Sequence, residues 1–267
     1  MSPTKNPIGI CLAPTQSSRL AEGFDFVELQ VAPSLLPLDD EAIFLSQAEK
    51  TTFPELRVDG FNCFVPGILK IVGPEVEWRA VESYVRRAID RAAWRGAHFI
   101  VFGSGEARRV PDGFPRTVAW SQLIRFLTLC AEVAEPHGVV IAIEPLNRSE
   151  SNILNTYTEA VLMAEDVGCR AQVKVLADIY HFMVDNEPLE DILLAPEWLA
   201  HVHVADTYNR HPGSGDYPLA QLFAVLKDIG YSGRVSIECA WGKYPAVEAK
   251  RSLDLLRQLS GDNRHQA

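Results

Sequence analysis

The feature that most constrains the fold is an alternation between short β-rich runs and longer segments with helical spacing. Eight apolar runs recur along the chain, each short enough for one buried strand. The predicted strands cover 8–12, 26–31, 61–65, 99–102, 139–143, 173–177, 201–205 and 235–237. Strands that alternate with helices are joined by crossovers, so the pattern predicts parallel strands.

Five of the connecting segments carry a clear helical pattern. The predicted helices cover about 78–94, 118–134, 158–166, 219–228 and 246–259. In the first of these, apolar residues return at intervals of three and four, as on one face of a helix. Pro136 and Gly138 close the second one. The segment between the first two strands is short, which predicts a stunted first helix.

Eight strand–helix units in a chain of 267 residues predict a single-domain (β/α)8 TIM barrel, a fold that takes about 250 residues. We expect the domain to span 1–267, with about 7–260 structured and a short polar C-terminal tail. A doubly wound open sheet is the alternative architecture. In a barrel, the active site lies at the C-terminal ends of the strands, so functional side chains are sought there.

Composition excludes several function classes. The net charge of −10 disfavours nucleic acid, which attracts a basic surface, but it suits a cation held by carboxylates. We expect no membrane association, because no apolar run approaches the ~20 residues of a spanning helix. The five cysteines form no C-x-x-C pair, and the N-terminus lacks a signal-peptide apolar block. These features predict free thiols in a cytoplasmic protein.

Four consecutive late strands each end in a side chain that can bind a metal: Glu144, Asp178, His203 and Glu238. A charge that follows a buried run is costly unless it is paired or bound to a cation. Taken singly, such a Glu is more often a cap or an ion-pair partner, and such a His a core residue. The four together predict a divalent metal site, with Mn²⁺ or Mg²⁺ favoured by the oxygens and Co²⁺ or Zn²⁺ allowed by the imidazole.

A second polar set is predicted beneath these residues. Because side chains alternate along a strand, Glu28, Lys174, His201 and Arg234 are expected to point into the barrel. We predict that they form a buried, charge-paired layer under the metal. A register error of one residue would turn each of them outward instead.

Five segments of the C-terminal half resemble the xylose isomerase-like superfamily of barrels, and most closely its sugar isomerase/epimerase group, with its ketose 3-epimerases and inositol-catabolism proteins. The similar segments are Ile-Glu-Pro-Leu-Asn-Arg at 143–148, Ala-Asp-Ile-Tyr-His at 177–181, His-Val-His-Val-Ala-Asp at 201–206, Pro-Gly-Ser-Gly at 212–215 and Ser-Ile-Glu at 236–238. The N-terminal half is similar only in general pattern. The motif set is specific for the superfamily and weak for the individual reaction.

The resemblance implies roles for several residues. Glu144, Asp178, His203 and Glu238 would bind the metal, and the two glutamates would also act as the acid/base pair. His181 would contact substrate hydroxyls. Glu150 stands where the epimerases carry a glutamate on the substrate side.

One position departs from the pattern. The ketose epimerases place an arginine six residues after the metal-binding histidine, where this chain has Asn209. Arg210 follows, and we predict that it substitutes as a substrate-binding residue.

Two further substrate contacts are predicted at the barrel mouth. Arg108, in a glycine-containing loop after the fourth strand, is a candidate for gripping an anionic substrate group, the alternative being a surface ion pair for it and Arg109. Trp241 is a candidate wall of the pocket, with plain core packing as its alternative.

The predicted function is a divalent-metal-dependent isomerase or epimerase of a sugar, sugar phosphate or keto-polyol. A carboxylate would remove a proton next to a carbonyl while the cation stabilises the enediolate charge. A metal-dependent lyase of the keto-inositol or dehydroshikimate type is the alternative, and a silent sugar-binding barrel is another. Seven histidines and the acidic surface disfavour an apurinic-site endonuclease. The expected partner is a small carbohydrate-like substrate, and the resemblance allows a homodimer or homotetramer.

Overall fold

The computed structural model describes residues 6–13, 16, 18–50, 53 and 56–261, which form a closed barrel of eight parallel strands. The strands are β1 Ile8–Leu12, β2 Phe26–Gln30, β3 Arg57–Asn62, β4 Phe99–Phe102, β5 Val140–Ile143, β6 Val173–Asp178, β7 Leu199–Val204 and β8 Val235–Ile237. Each strand pairs with the next, and β1 pairs with β8. This closure confirms the predicted TIM barrel and excludes the open sheet.

Helices surround the barrel. The α-helices are α1 Val31–Leu35, α2 Glu41–Lys50, α3 Trp78–Trp94, α4 Gly105–Arg108, α5 Arg116–Ala134, α6 Tyr157–Val167, α7 Ile179–Asp185, α8 Leu219–Asp228 and α9 Pro245–Leu259. Short 3₁₀ turns cover Ser18–Ala21, Glu135–His137, Leu189–Leu194, Pro196–Trp198 and Thr207–Asn209. The five predicted helices are confirmed to within two residues at each end. The stunted first helix is also confirmed, because the one helical segment among the described residues between β1 and β2 is the turn Ser18–Ala21.

Two strands begin earlier than predicted: β7 by two residues, at Leu199, and β3 by four, at Arg57. The predicted run 61–65 covers only the end of β3, which starts at Arg57. Polar Arg57 and Asp59, followed by Gly60, hid the start of the strand from a search for apolar residues. Gly60 is needed inside the barrel, because a Cβ there would collide with the ring of Phe99.

The apolar core has two parts. The larger lies between the strands and the helices. The smaller fills the barrel interior and comprises Phe26, Phe99, Val101, Ala142 and Leu176, with Val140 packed against it. Ala142 and Val140 lie on the same face of β5 as the next residue in the pattern, Glu144. This alternation puts Glu144 on the interior face of the barrel and aims it at the barrel mouth.

None of the helices in the described part of the chain combines the length and the apolar run needed to cross a bilayer. The predicted polar tail falls on 262–267, which lie outside the described residues. The bounds of about 7–260 for the structured domain stay a prediction.

Candidate active site

Four side chains from neighbouring strands converge at the C-terminal mouth of the barrel. Glu144 follows β5, Asp178 ends β6, His203 lies in β7 and Glu238 follows β8. One potential ligand atom from each lies within 4.8 Å of all the others. The structure thus brings together the four residues that the sequence singled out as metal ligands.

The centre of this cluster contains buried polar atoms that lie close together but form no hydrogen bond. His203 Nδ1 is 2.7 Å from Glu238 Oε2 and 3.5 Å from Glu144 Oε1. Neither His203 Nδ1 nor Glu144 Oε1 has a hydrogen-bond partner, although both atoms are buried. Unpartnered buried polar atoms are rare and need an explanation. A cation coordinated by the four residues would satisfy both atoms, so the donor set fits a divalent metal.

The electrostatics point the same way. Burial, with the nearby carboxylate of Glu144, raises the pKa of Asp178 well above its usual range. Burial likewise raises the pKa of Glu144, and the charge of Glu238 adds to the effect. Three carboxylates at this spacing oppose one another's ionisation. A divalent cation would remove that opposition and keep Glu144 and Asp178 deprotonated.

A buried carboxylate supports the cluster from below. Glu28 on β2 is fully buried; its Oε1 lies 3.0 Å from His203 Nε2, and its Oε2 lies 3.0 Å from His201 Nε2. Burial alone would raise the pKa of Glu28, but the imidazoles of His203 and His201 hold it far below its usual range. Glu28 therefore orients His203 so that Nδ1 faces the other three ligands, an arrangement common beneath metal-binding histidines.

The predicted four-residue layer is only half right. Glu28 and His201 form it, but Lys174 and Arg234 are partly exposed and lie outside it. Lys174 donates to the carbonyl of Glu197, and Arg234 pairs with Asp59 at 2.7 Å. Both precede the buried centres of their strands and therefore lie towards the opposite end of the barrel. The ammonium of Lys174 lies over the ring of Trp198, whereas the guanidinium of Arg234 lies over the interior rings of Phe26 and Phe99, with its charge paired to the buried Asp59.

His181 and Glu150 both line the pocket, and one residue organises them. Nδ1 of His181 accepts hydrogen bonds from the backbone N–H and the side-chain amide of Asn147, at 3.2 and 2.9 Å. The same amide donates to Glu150 Oε1 at 2.8 Å. Burial, with the charge of Arg108, lowers the pKa of His181 to about 3, so the ring is neutral. Its proton is then on Nε2, which lies 3.9 Å from both Glu144 and Asp178 and can donate to a substrate oxygen.

Arg108 does not fit the substrate-binding role that we predicted, nor its alternative as a surface ion pair. Its side chain is 0% exposed and does not reach the pocket. The guanidinium donates to the carbonyls of Phe102, Glu144 and Leu154. It stabilises the loops around Glu144 instead. The surface alternative holds for Arg109, which pairs with Glu106.

Arg210 and Trp241 also lie outside the pocket wall formed by the described residues. Arg210 is exposed, and its backbone pairs with Asp206 and Ala240. Asn209 itself lines the pocket, with a left-handed backbone and an unpartnered, buried Oδ1. The prediction that Arg210 takes over substrate binding from position 209 is therefore wrong, because the loop turns its side chain away from the pocket. Trp241 stacks on His211 and packs on the core, which supports its alternative role.

The loop that carries Asn209 is fixed by one carboxylate. Asp206 accepts backbone hydrogen bonds from Thr207, Gly213 and Tyr217 at 2.8, 2.9 and 3.0 Å. Burial would raise the pKa of Asp206, but these donors hold it below its usual range. The segment resembling the family's Pro-Gly-Ser-Gly loop is thus tied to the end of β7.

The pocket above the cluster has a volume of about 560 Å³. Its lining residues are Cys63, Val65, Gly103, Ser104, Gly105, Glu106, Glu144, Leu146, Glu150, Asp178, Tyr180, His181, Asn209, Glu238, Cys239 and Ala240. Five of these are carboxylates and, within the described chain, none is a lysine or arginine. Gly103 permits the arrangement, because a Cβ there would collide with Glu144 Oε2.

Two residues of the candidate site were not predicted from the sequence. Asn62, at the end of β3, donates to Glu238 Oε1 at 2.8 Å, and no motif marked it. Asn147 lies inside the motif at 143–148, so its position was visible although its role was not.

A (β/α)8 barrel with three carboxylates and a histidine converging at its C-terminal mouth defines a class of candidate metal-binding barrel enzymes. The sequence profile of the xylose isomerase-like TIM barrel family matches residues 20–259. The chain belongs to this family, which confirms the resemblance found in its motifs.

Curated relatives of the chain are sugar epimerases and isomerases. It is 37% identical to the D-psicose 3-epimerase of Agrobacterium fabrum over 109 residues, which are 40% of this chain and 37% of that protein. It is 32% identical to the 3-dehydro-D-guloside 4-epimerase of Escherichia coli over 115 residues, 42% of this chain and 43% of the relative. These matched segments span about two fifths of the relatives' length.

Solved structures share the whole fold. A D-psicose 3-epimerase crystallised in the presence of D-fructose has a TM-score of 0.80 at 20% identity, over 96% of this chain and 99% of the other. A zinc-bound IolI protein has a TM-score of 0.74 at 17% identity, over 97% and 100%. At these identities the likeness establishes the fold alone.

Proposed function

We propose that the protein is a divalent-metal-dependent epimerase or isomerase of a small, uncharged sugar or keto-polyol. The observation that carries the proposal is the convergence of Glu144 and Glu238, from β5 and β8, on one site with Asp178 and His203. Sugar epimerases and isomerases among the relatives support the reaction class.

Two of the pocket's carboxylates suit proton transfer next to a carbonyl. A cation held by Glu144, Asp178, His203 and Glu238 would supply the positive charge that stabilises an oxyanion. Glu144 or Glu238 removes the proton, and for epimerisation the other returns one from the opposite face. For isomerisation a single carboxylate returns it to the neighbouring carbon.

The remaining polar groups orient the substrate. The Nε2–H of neutral His181 donates to a substrate oxygen, and Glu150, held by Asn147, accepts from a substrate hydroxyl. Both are fixed by hydrogen bonds before the substrate arrives, which limits the entropy lost on binding.

The charge of the pocket favours a substrate without a phosphate. Glu150 adds a carboxylate to the three in the cluster, and no lysine or arginine of the described chain lines the pocket. The carboxylate of Glu106 also lines it but is paired with Arg109 at 3.0 Å. A phosphate dianion would be repelled, whereas sugar hydroxyls can donate to these oxygens. Of the substrate classes predicted from the sequence, sugar phosphates therefore become the least favoured.

Mn²⁺ is the proposed metal, because three carboxylates and one imidazole form an oxygen-rich set of the kind that suits it. Mg²⁺, Co²⁺ and Zn²⁺ are the alternatives. A cytoplasmic location and a homodimer or homotetramer stay predictions. The lyase alternative is not favoured, since the relatives named above are epimerases.

The test is a ²H₂O exchange screen by NMR with Mn²⁺, across free ketoses, phosphorylated ketoses and inosose. We expect deuterium to enter a free sugar or polyol at the carbon next to its carbonyl. Exchange should require the metal and should be almost abolished in Glu238→Gln. An unsaturated product absorbing in the ultraviolet would indicate the lyase instead, and an unchanged rate of exchange in Glu238→Gln would overturn the assigned chemistry.

A further inference from the structure

The two proposed acid/base carboxylates are held in different ways. Glu144 is buried, it fits into space left by Gly103, and its backbone carbonyl accepts a hydrogen bond from Arg108 at 2.9 Å. Glu238 follows the shortest strand, and its side chain is 31% exposed. Packing alone therefore restrains Glu238 much less than Glu144.

Asn62 supplies the missing restraint. It is the last residue of β3, it is 3% exposed, and its Nδ2 donates to Glu238 Oε1 at 2.8 Å. In the barrel, β3 and β8 are separated by β2 and β1, so this bond reaches across the mouth. It engages Oε1 and leaves Oε2, which is 2.7 Å from His203 Nδ1, in the ligand cluster.

We propose that Asn62 is a positioning residue that fixes the carboxylate of Glu238 so that Oε2 faces the cation. The inference rests on the proposed function. An amide suits this place because it donates without a charge. A lysine or arginine would repel the cation, and a carboxylic acid would compete for it.

A second observation argues against a plain packing role for Asn62. Its Oδ1 is buried and has no hydrogen-bond partner, so the amide carries a desolvation cost that an apolar side chain of the same size would avoid. Asn62 therefore combines an unfavourable buried oxygen with a favourable hydrogen bond to Glu238. That combination is expected where a polar side chain is needed to orient a neighbouring group and not to stabilise the fold.

The experiment compares Asn62→Leu, which keeps the branched shape without the donor, and Asn62→Ala, which cannot clash. Isothermal titration of the metal-free proteins with Mn²⁺ is the first readout. We expect the dissociation constant to rise by about 10- to 100-fold in both, as for other supports of metal ligands. At saturating Mn²⁺, kcat for the substrate found in the exchange screen should fall while KM changes little, because the contacts to the substrate are intact.

Asn6→Leu is the matched control. Asn6 is also a buried asparagine, 5% exposed, and it precedes β1. Its Nδ2 donates to the backbone carbonyls of Tyr231 and Gly233, which precede β8. Its loss should lower the Tm, because two backbone carbonyls lose a buried donor, yet leave the Mn²⁺ dissociation constant unchanged. An equal effect of the two asparagines on Mn²⁺ affinity would contradict a positioning role for Asn62.

Failure of this inference and failure of the proposed function can be told apart. If the parent protein exchanges deuterium and Glu238→Gln does not, while both Asn62 variants keep the parent's kcat and Mn²⁺ affinity, then the role of Asn62 is wrong and the function stands. If the parent protein catalyses deuterium exchange into none of the compounds tested, the proposed function fails. The Mn²⁺ titration alone then decides whether Asn62 holds Glu238.

Discussion

The two halves of the barrel contribute different things to the candidate site. Strands β5 to β8 and the residues that follow them supply all four proposed metal ligands. Strands β1 to β4 supply the groups that hold those ligands in place. Glu28 supports His203, Asn62 supports Glu238, and Gly103 makes room for Glu144.

This division explains why the late half shows its function in the sequence and the early half does not. A carboxylate or imidazole that ends an apolar run is conspicuous. A supporting glycine or asparagine is common in any chain and gains its meaning only from what lies across the barrel. The predictions below test whether the two halves differ in kind, with the late half reacting and the early half positioning.

The largest expected effect is in the late half. Glu238→Gln should lower the rate of deuterium exchange by about 10²–10⁴-fold, because general acid–base help is worth that much. The measurement is NMR at saturating Mn²⁺. Glu197→Gln is the control, since Glu197 is half exposed and pairs with Arg170. Equal losses in both variants would show that the effect is not specific to the site.

Adjacent arginines of the early half should differ sharply in their effect on stability. Arg108→Met should lower the free energy of unfolding by about 3 kcal/mol, because the carbonyls of Phe102, Glu144 and Leu154 lose a buried donor. Arg109→Met should cost under about 1 kcal/mol, as for an exposed pair. Urea unfolding without metal measures both. A small cost at Arg108 would mean that the loops around Glu144 do not depend on it.

Because Glu28 orients the proposed ligand His203, changing it should weaken metal binding. Glu28→Gln keeps the shape but loses the charge between His201 and His203, so the Mn²⁺ dissociation constant should rise by about 10- to 100-fold. Titration calorimetry measures it, with Glu41→Gln, a carboxylate of the same half paired with Arg91, as the control. Unchanged affinity in Glu28→Gln would break the proposed division of labour.

The smallest effect concerns a carboxylate of the late half that is away from the ligands. Burial raises the pKa of Glu187 from 4.5 to about 7. The folded protein then binds this proton more tightly than the unfolded chain does. The resulting stability is complete below pH 4.5 and is lost as the pH rises towards 7. Glu187→Gln should remove that slope, on the order of 1 kcal/mol after solvent screening.

Urea unfolding between pH 4 and 8 in the presence of EDTA isolates the effect of Glu187 from the metal site. Glu190→Gln is the control, because its carboxylate is exposed and accepts from Gln221. A slope that survives in Glu187→Gln would assign the pH dependence to the ligand carboxylates instead.

Much of the fold was predictable because barrels repeat one pattern. Helix α3 was placed to the residue, since its apolar residues recur regularly. Strand β3 was misplaced because Asp59 and Gly60 break its apolar run, and only the ring of Phe99 explains the glycine. Long-range contacts of this kind have no local signal.

The site was predictable where a residue acts through its own chemistry. Their places at the ends of predicted strands identified Glu144 and His203, and the structure brings them together. The roles predicted for Arg108 and Arg210 were wrong. A sequence does not show whether a guanidinium in a loop at the barrel mouth turns inward to backbone carbonyls or outward to water. Asn62 was invisible, since its partner Glu238 is 176 positions away.

The close fit between Gly103 and Glu144 has a practical consequence for altering the substrate range. A library that randomises the pocket wall would displace a proposed ligand with nearly every replacement at position 103. Asn209 offers the opposite case, since its side chain holds no ligand and faces the cavity. A directed-evolution library should therefore keep glycine at position 103 and randomise position 209.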